Sequence, residues 1–310
     1  MSKGLGFLII LIILIGVGIV GFYLFKEKLE LEDQGSSSEP SSSTPSGSSS
    51  QPAEEEKAYW VTNPTSGARV YVQVILPREG AEKFPALVLV PGGLGDSSFF
   101  LPTKARSLVE AGFAVIVFDP DGRGRSGGEE DFNGHIHQDG LAAVIRFAAT
   151  LPKIDSENIG LVTYSYGITM GSGALARYPD LPVKFLIDWE GPARREYTTG
   201  NCQENFGGVP WPSCTNDSFW SQREAVNFIS EVRVPYQRIQ SAKDHAQPIV
   251  THAIEMINAA VEGGAPWVRL NDEPPNQTYN PSALPRMLPE SQDPLLEQHI
   301  VRYAKELLDR

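Results

Sequence analysis

The chain has 310 residues and a formal net charge of −12, with 26 Lys and Arg against 38 Asp and Glu. This length exceeds that of one compact domain, so we expect a folded domain together with other segments. The acidity argues against a nucleic-acid partner, because phosphate binding needs clustered Lys and Arg that this sequence lacks.

The first segment, Leu5–Phe25, is apolar and is uninterrupted by charge. A helix of this length, at about 1.5 Å per residue, spans about 30 Å, the thickness of a bilayer core. The sequence therefore predicts an N-terminal transmembrane anchor helix within residues 1–28 and a single-pass membrane localisation. A cleaved signal peptide is the alternative, but its apolar region would be shorter and would end in small residues, whereas this run ends in Phe22-Tyr23-Leu24-Phe25.

Residues 29–57 are predicted to be a disordered linker. Within them, Gly35–Pro52 is nearly all Ser, Pro, Gly and Thr, a composition that buries too little apolar surface to fold. Such stalks suit an extracytoplasmic setting. Asn-x-Ser/Thr sequons at Asn216 and Asn276 favour the same setting, as do the only two cysteines, Cys202 and Cys214, which form a candidate disulfide. We therefore expect the folded domain to lie outside the membrane.

The remaining residues, 58–310, are predicted to form one α/β domain. Short β-branched runs alternate with helical patterns, which predicts a mostly parallel twisted sheet with helices on both faces and an antiparallel hairpin at its edge. The predicted strands are Tyr59–Thr62, Val70–Leu76, Ala86–Val90, Ala114–Phe118, Ile159–Thr163, Lys184–Asp188, Tyr236–Gln240 and Trp267–Leu270. The predicted helices are Thr103–Ala111, Leu141–Ala149, Ile168–Arg177, Ile249–Val261 and Leu295–Leu308.

Two glycine-rich loops follow predicted strands. In Leu87–Ser98, Gly92 and Gly93 allow backbone N–H groups to approach a substrate, although an ordinary tight turn explains the same residues. Phe113–Gly128 contains a Gly-x-Gly-x-x-Gly match to the dinucleotide fingerprint, but the acidic run Glu129–Asp131 stands where a phosphate would bind. The sequence therefore predicts no cofactor.

A third loop, Thr163-Tyr164-Ser165-Tyr166-Gly167, joins a predicted strand to a predicted helix. It matches the nucleophile elbow Gly-x-Ser-x-Gly except that Thr163 stands at the first glycine position. Small residues flank the serine in this motif because a sharp strand-to-helix turn brings the neighbouring backbone close. A serine that merely ends a strand is the alternative interpretation.

The order of these three loops resembles that of the α/β-hydrolase superfamily, nearest to its dienelactone-hydrolase and dipeptidyl-peptidase-like serine hydrolases. The resemblance implies the α/β-hydrolase fold, Ser165 as nucleophile, and an oxyanion hole formed by the amide of Tyr166 with that of Gly93 or Leu94. It also implies a small cap insertion at about residues 194–232, whose aromatic side chains either line an apolar substrate pocket or form the core of the cap.

The acid and base implied by the resemblance are less well matched. Asp244 stands where the acid is expected, but Trp267–Leu288, where the base is expected, contains no histidine. His245 follows a strand at the sheet edge where α/β sites gather, so we expect it to be the base, with Asp272 or Asp244 orienting its ring.

Three functions remain open at this point. The first is a membrane-anchored serine hydrolase that transfers the acyl group of an ester, amide or peptide substrate. The second is a non-catalytic binding domain that keeps the fold but lacks a functional base. The third is a metal-dependent hydrolase that uses His135, His137 and Asp139, although no further ligands are evident, no metal is predicted, and Asp139 is more simply interpreted as a helix N-cap.

Overall fold

The computed structural model describes residues 54–247, 249–290 and 293–310. The strands in these ranges are β1 (Glu54–Thr62), β2 (Arg69–Pro77), β3 (Phe84–Val90), β4 (Ala114–Phe118), β5 (Ile154–Tyr164), β6 (Phe185–Trp189), β7 (Tyr236–Ile239) and β8 (Val268–Leu270). The helices are α1 (Thr103–Glu110), α2 (His135–Ala149), α3 (Gly167–Arg177), α4 (Arg195–Thr198), α5 (Asp217–Trp220), α6 (Val226–Ile229), α7 (Thr251–Gly263) and α8 (Asp293–Leu308). Each predicted strand and helix is present, and the predicted ends differ most at β1, β5 and α2.

The strands form one sheet in the order β1-β2-β4-β3-β5-β6-β7-β8. β1 and β2 form an antiparallel hairpin, β2 is antiparallel to β4, and the strands from β4 to β8 are parallel. Because β3 lies between β4 and β5, the chain changes direction across the sheet there. In open α/β sheets, ligands bind at the carboxyl ends of the strands beside such a switch point.

Each face of the sheet carries its own apolar layer. Along β3, Ala86, Val88 and Val90 enter one layer, whereas Leu87 and Leu89 enter the other, as the two-residue repeat of a strand requires. Helices α2, α3 and α7 cover the first face, and α1 and α8 cover the second. The sheet is thus buried on both faces, which gives the strand ends a fixed geometry.

The membrane part of the predicted fold class requires correction. None of the helices in the described ranges is long and apolar enough to cross a bilayer. The longest, α8 and α2, have 16 and 15 residues and carry charged side chains, whereas a bilayer requires about 20 mostly apolar residues. The predicted span Leu5–Phe25 lies outside the described residues. The described residues therefore do not support the predicted transmembrane helix, signal anchor and membrane localisation, and these predictions are corrected accordingly.

The described residues fall within a unit that spans Pro52–Arg310, and the other unit, Met1–Gln51, lies outside the description. β1 begins at Glu54, so the folded domain starts before the predicted residue 58. The predicted linker over residues 29–57 falls almost entirely outside the described ranges.

The insertion at residues 194–232 lies between β6 and β7 and contains α4, α5, α6 and a short 3-10 turn at Phe206–Gly208. Cys202 and Cys214 form a disulfide within it. The insertion has its own apolar cluster, in which buried Trp211 and Trp220 pack with Tyr166 of the elbow. These aromatic side chains therefore form a small core of the insertion, and this core contacts the elbow directly.

Candidate active site

The turn from β5 to α3 holds Ser165 in a left-handed backbone conformation, with φ of 51°. Such a conformation is uncommon for a residue with a side chain and indicates local strain. Neighbouring backbone approaches the turn closely, since a Cβ added to Gly92 would lie 3.0 Å from Ser165 Cβ and one added to Gly167 would lie 2.7 Å from the Pro91 carbonyl oxygen. The glycine at each position therefore permits the close packing that the elbow requires.

Thr163, the residue that departs from the elbow motif, is accommodated by a glycine elsewhere. A Cβ added to Gly171 of α3 would lie only 2.4 Å from Thr163 Cγ2. The Thr163 hydroxyl is directed toward β6, 3.4 Å from the Ile187 carbonyl oxygen. The missing glycine of the strand is thus replaced by a glycine on the helix that faces it.

His245 reaches Ser165 from the carboxyl end of β7. Its Nε2 lies 2.9 Å from Ser165 Oγ, within hydrogen-bond distance. One face of the imidazole stacks on the indole of Trp189, with ring centroids 4.4 Å apart. The backbone N–H of Ser165 donates to the Trp189 carbonyl oxygen at 2.8 Å, so Trp189 contacts both members of the pair.

Glu190, which was not among the predicted site residues, contacts the other ring nitrogen of His245. Its Oε2 lies 2.8 Å from His245 Nδ1 and also accepts the backbone N–H of His245 at 2.9 Å. Its Oε1 accepts hydrogen bonds from the hydroxyl and the backbone N–H of Ser241. The carboxylate is buried, and its four hydrogen-bond contacts hold it against the imidazole.

Asp244 is a second carboxylate close to His245, and it lies between His245 and His252. Its Oδ1 is 3.4 Å from His245 Nδ1, and its Oδ2 is 3.3 Å from His252 Nε2. Burial alone would raise the pKa of Asp244, but His252, the amides of Ala246 and Gln247 and the side chain of Gln240 outweigh that effect and lower the pKa. Asp244 is thus an ionised group that organises the loop after β7, and Glu190 lies closer to the imidazole.

The amides expected to form an oxyanion hole lie on two segments. Gly93 and Leu94 follow β3 in the loop that touches Ser165, and Tyr166 directly follows Ser165. In the part of the chain that the structure describes, no protein acceptor takes the backbone N–H of any of these three residues. These N–H groups therefore remain available to a bound ligand.

Residues 66–211 match the family model for X-Pro dipeptidyl-peptidase of the S15 family. The fold described above is that of the α/β-hydrolases, and the family match covers a little under half of the chain. It is 35% identical over 112 residues to an uncharacterised 31.7 kDa protein of Escherichia coli, a match that covers 35% of this chain and 38% of that protein. The match thus spans a little over a third of the length of this curated relative.

Two solved structures share the fold of this chain. A dipeptidyl aminopeptidase IV from Bacteroides ovatus, described as putative, aligns with a TM-score of 0.62 at 16% identity, over 82% of this chain and 36% of that one. An esterase from Pyrococcus furiosus aligns with a TM-score of 0.59 at 16% identity, over 83% and 91%. At 16% identity these two structures show that the fold is shared.

Asp272, one of the two carboxylates expected to orient His245, lies against α8 and does not contact the imidazole. Its Oδ1 lies 2.7 Å from Arg302 Nη1 of α8, and it also accepts a hydrogen bond from Tyr303. The pairing of Asp272 with His245 is therefore not found: the neighbouring Asn271 bonds to Gln240 after β7, whereas the Asp272 side chain contacts α8.

The proposed metal ligands His135, His137 and Asp139 have other partners. Asp139 lies inside α2, where it accepts hydrogen bonds from Arg177, Tyr178 and Thr65, so the prediction that it caps the helix is wrong. His137 is buried beside Arg123. Burial, with the nearby cation, lowers the pKa of His137 to about 3. In the described ranges, the potential ligand atoms that converge belong to Glu190, Asp244 and His245, which contact one another.

A cavity of about 210 Å³ lies beside the site at the carboxyl ends of β6 and β7. Trp189 and Glu190 form one wall, and the rest is mostly apolar, with side chains from the loop before α8 and from α8 itself. Its remaining lining residues are Ile239, Ser241, Leu288, Pro289, Glu290, Leu295, Leu296 and His299. Its volume is below the range of about 300–1,000 Å³ that is usual for complete ligand sites, so it suits one part of a substrate.

Proposed function

We propose that this protein is a serine hydrolase that acts by acyl transfer on an ester, amide or peptide substrate, with Ser165, His245 and Glu190 as its catalytic triad. The proposal depends chiefly on one observation, the hydrogen-bonded series from Ser165 Oγ to His245 Nε2 at 2.9 Å and from His245 Nδ1 to Glu190 Oε2 at 2.8 Å. Nucleophile, base and carboxylate in this order are the arrangement that activates a serine hydroxyl.

In the proposed mechanism, Ser165 Oγ attacks the substrate carbonyl carbon while His245 Nε2 accepts the hydroxyl proton. The carbonyl oxygen becomes an oxyanion, which the amides of Tyr166 and of Gly93 or Leu94 stabilise. His245 then gives the proton to the leaving group as the carbon–heteroatom bond breaks. Water repeats the same steps on the acyl-enzyme and releases the acid. Glu190 holds the ring through Nδ1 and stabilises the imidazolium.

Reaction of the full chain with a fluorophosphonate probe tests this proposal. We expect covalent labelling of the wild-type protein that is lost in Ser165→Ala and strongly slowed in His245→Ala. Ser172→Ala is a matched control, because Ser172 lies within α3 and donates to the Ile168 carbonyl. Absence of labelling in the wild-type protein, together with no turnover of p-nitrophenyl esters, would instead favour the non-catalytic binding domain.

The substrate of the proposed hydrolase is expected to place an apolar group in the cavity beside Trp189. The cavity is lined mainly by apolar side chains and adjoins the triad through Trp189 and Glu190. Leu296→Trp would fill it, and we expect this variant to lose turnover of substrates with a bulky apolar group while keeping turnover of p-nitrophenyl acetate. Equal loss of both activities would argue against this placement.

A further inference from the structure

The two halves of the proposed oxyanion hole come from separate segments, the loop after β3 and the elbow after β5. Their relative position must be held to within a fraction of an ångström for both amides to reach one oxygen atom. We propose that Arg123 is a positioning residue. Together with Asn133, it connects these two segments by hydrogen bonds to their backbone carbonyl oxygens. The inference rests on the proposed function, because it concerns the same oxyanion hole.

On the loop side, Arg123 Nη1 donates to two backbone carbonyl oxygens of the glycine-rich loop. It lies 3.4 Å from the Gly93 carbonyl oxygen and 3.3 Å from that of Gly95. The Gly93 carbonyl shares a planar trans peptide with the Leu94 N–H, and in such a peptide the two groups point in opposite directions. Arg123 therefore turns the Leu94 N–H away from itself. This selects Leu94 over Gly93 as the donor that Arg123 orients.

On the elbow side, Arg123 acts through Asn133. Arg123 Nη2 donates to Asn133 Oδ1 at 2.9 Å, and Asn133 Nδ2 donates to the Tyr166 carbonyl oxygen at 2.9 Å. Asn133 is fully buried and has φ of 60°, a conformation that Asn tolerates better than most residues. The Tyr166 carbonyl belongs to the peptide that follows the Tyr166 N–H, so Asn133 fixes the position of the elbow at Tyr166 and not the direction of that N–H. The series from Gly93 through Arg123 and Asn133 to Tyr166 therefore connects the two segments that carry the proposed donors.

The orientation of the guanidinium is itself fixed. Glu130 accepts from Nε and from Nη2, both at 2.7 Å, in a two-point contact, and the Arg123 side chain is 3% exposed. A guanidinium carries five N–H donors in a rigid plane. Here they donate to the Glu130 carboxylate, to Asn133 Oδ1 and to the carbonyl oxygens of Gly93 and Gly95. A lysine has one compact ammonium group and cannot reach all of these acceptors in this geometry.

Two variants test the role of this network. Arg123→Lys keeps the charge and removes the planar fork, and Asn133→Gly suits the positive φ while it cuts the connection to Tyr166. Removing one oxyanion donor typically costs about 100- to 1,000-fold in kcat, so misplacing donors is expected to cost about 10- to 100-fold. We expect this loss in kcat for p-nitrophenyl acetate, with KM changed less than about threefold.

A transition-state analogue distinguishes positioning from general destabilisation. A trifluoromethyl ketone forms a hemiketal with a serine nucleophile, and its oxyanion occupies the oxyanion hole. We expect its inhibition constant to rise by the same factor as kcat falls in both variants, because the same interaction is lost. Arg177→Lys is the matched control, since Arg177 also contacts a carboxylate and a backbone carbonyl but lies away from both oxyanion segments.

The possible outcomes separate this inference from the proposed function. A wild-type protein that reacts with fluorophosphonate, with variants that fold but keep wild-type kcat and ketone inhibition, would overturn the inference alone. A rise in KM with unchanged kcat would also overturn it. If Arg123→Lys fails to fold, Asn133→Gly decides the question by the same two measurements. A wild-type protein that never reacts at Ser165 would overturn the proposed function and the inference together.

Discussion

At the scale of single residues, the main question is why two carboxylates approach His245 Nδ1. Glu190 lies at 2.8 Å and is nearly fully buried, whereas Asp244 lies at 3.4 Å and accepts the backbone amides of Ala246 and Gln247. Both carboxylates are buried, and the shorter contact orients the ring more strongly. We therefore assign the orienting role to Glu190 and a loop-stabilising role to Asp244.

This assignment predicts a difference between two conservative variants. Glu190→Gln presents an amide to His245 and to Ser241, so we expect kcat to fall by about 100- to 10,000-fold, as for other triads that lose their carboxylate. Asp244→Asn keeps one acceptor for the loop amides, and we expect kcat to fall less than about tenfold. Steady-state kinetics with a p-nitrophenyl ester measures both, and the opposite order of effects would move the orienting role to Asp244.

At the scale of elements, the packing of α3 on β5 depends on a complementary pair. Gly171 provides the space that the Thr163 methyl group fills. We expect Gly171→Ala to lower the free energy of unfolding by about 1–3 kcal/mol, because an added methyl group overpacks the core. Thr163→Ser removes the conflicting methyl and keeps the hydroxyl, so the double variant should recover most of this loss.

Chemical denaturation of the two single variants and the double variant measures this coupling. Residues in contact show non-additive effects, whereas independent residues show additive ones. Simple additivity of the two substitutions would mean that Thr163 and Gly171 do not constrain each other, and the explanation for the departure from the elbow motif would then fail.

The insertion provides a second prediction at the element scale. The Cys202–Cys214 disulfide closes a short loop that carries Phe206 and Trp211, which pack near Tyr166. A crosslink that closes a loop of this length raises the free energy of unfolding by about 3 kcal/mol, because it lowers the conformational entropy of the unfolded chain. We expect the Cys202→Ser, Cys214→Ser double variant to unfold several degrees lower in calorimetry, and reduction of the wild-type protein to give the same shift. An unchanged midpoint would show that the loop is held by its aromatic core alone.

At the scale of the whole molecule, buried titratable groups make the fold sensitive to acid. Burial and the adjacent Arg123 lower the pKa of His137 from an ordinary value of 6.5 to about 3, against the opposing effect of Glu130. Between these values the unfolded chain binds a proton at His137 that the folded chain does not bind. The free energy of unfolding therefore falls as pH falls from 6.5 to 3, by at most about 1.4 kcal/mol per pH unit.

Burial raises the pKa of Glu130, but Arg123 outweighs this effect and the pKa is lowered. Burial likewise raises the pKa of Asp139, but hydrogen bonds from Thr65, Tyr178 and Arg177 lower it overall. Their stabilisation is present above the unfolded pKa and is lost as pH falls, so it acts in the same direction. Denaturation at several pH values should show a steep loss of stability below pH 6.5. His137→Asn should flatten the slope above pH 5.

Most of the fold was predictable because the relevant forces are local. Buried β-branched runs and helical repeats located β1 to β8 and the longer helices, and the glycine-rich loops located the elbow and the loop after β3. The start of α2 was predicted at Leu141 but lies at His135, because the two histidines and Asp139 were interpreted as loop residues. Glu190 was missed because a single acidic residue after a strand is a weak signal.

The strands, the helices and the short backbone motifs follow from local sequence, since they depend on residues a few positions apart. The tertiary structure decided which side chains surround Ser165. His245 is 80 positions away along the chain from Ser165, and Glu190 is 55 positions from His245. Their contacts follow from the order of β5, β6 and β7 in the sheet, which brings the three strand ends side by side. No local pattern in the chain records that order, so only the assembled sheet distinguishes Glu190 from Asp244 and Asp272.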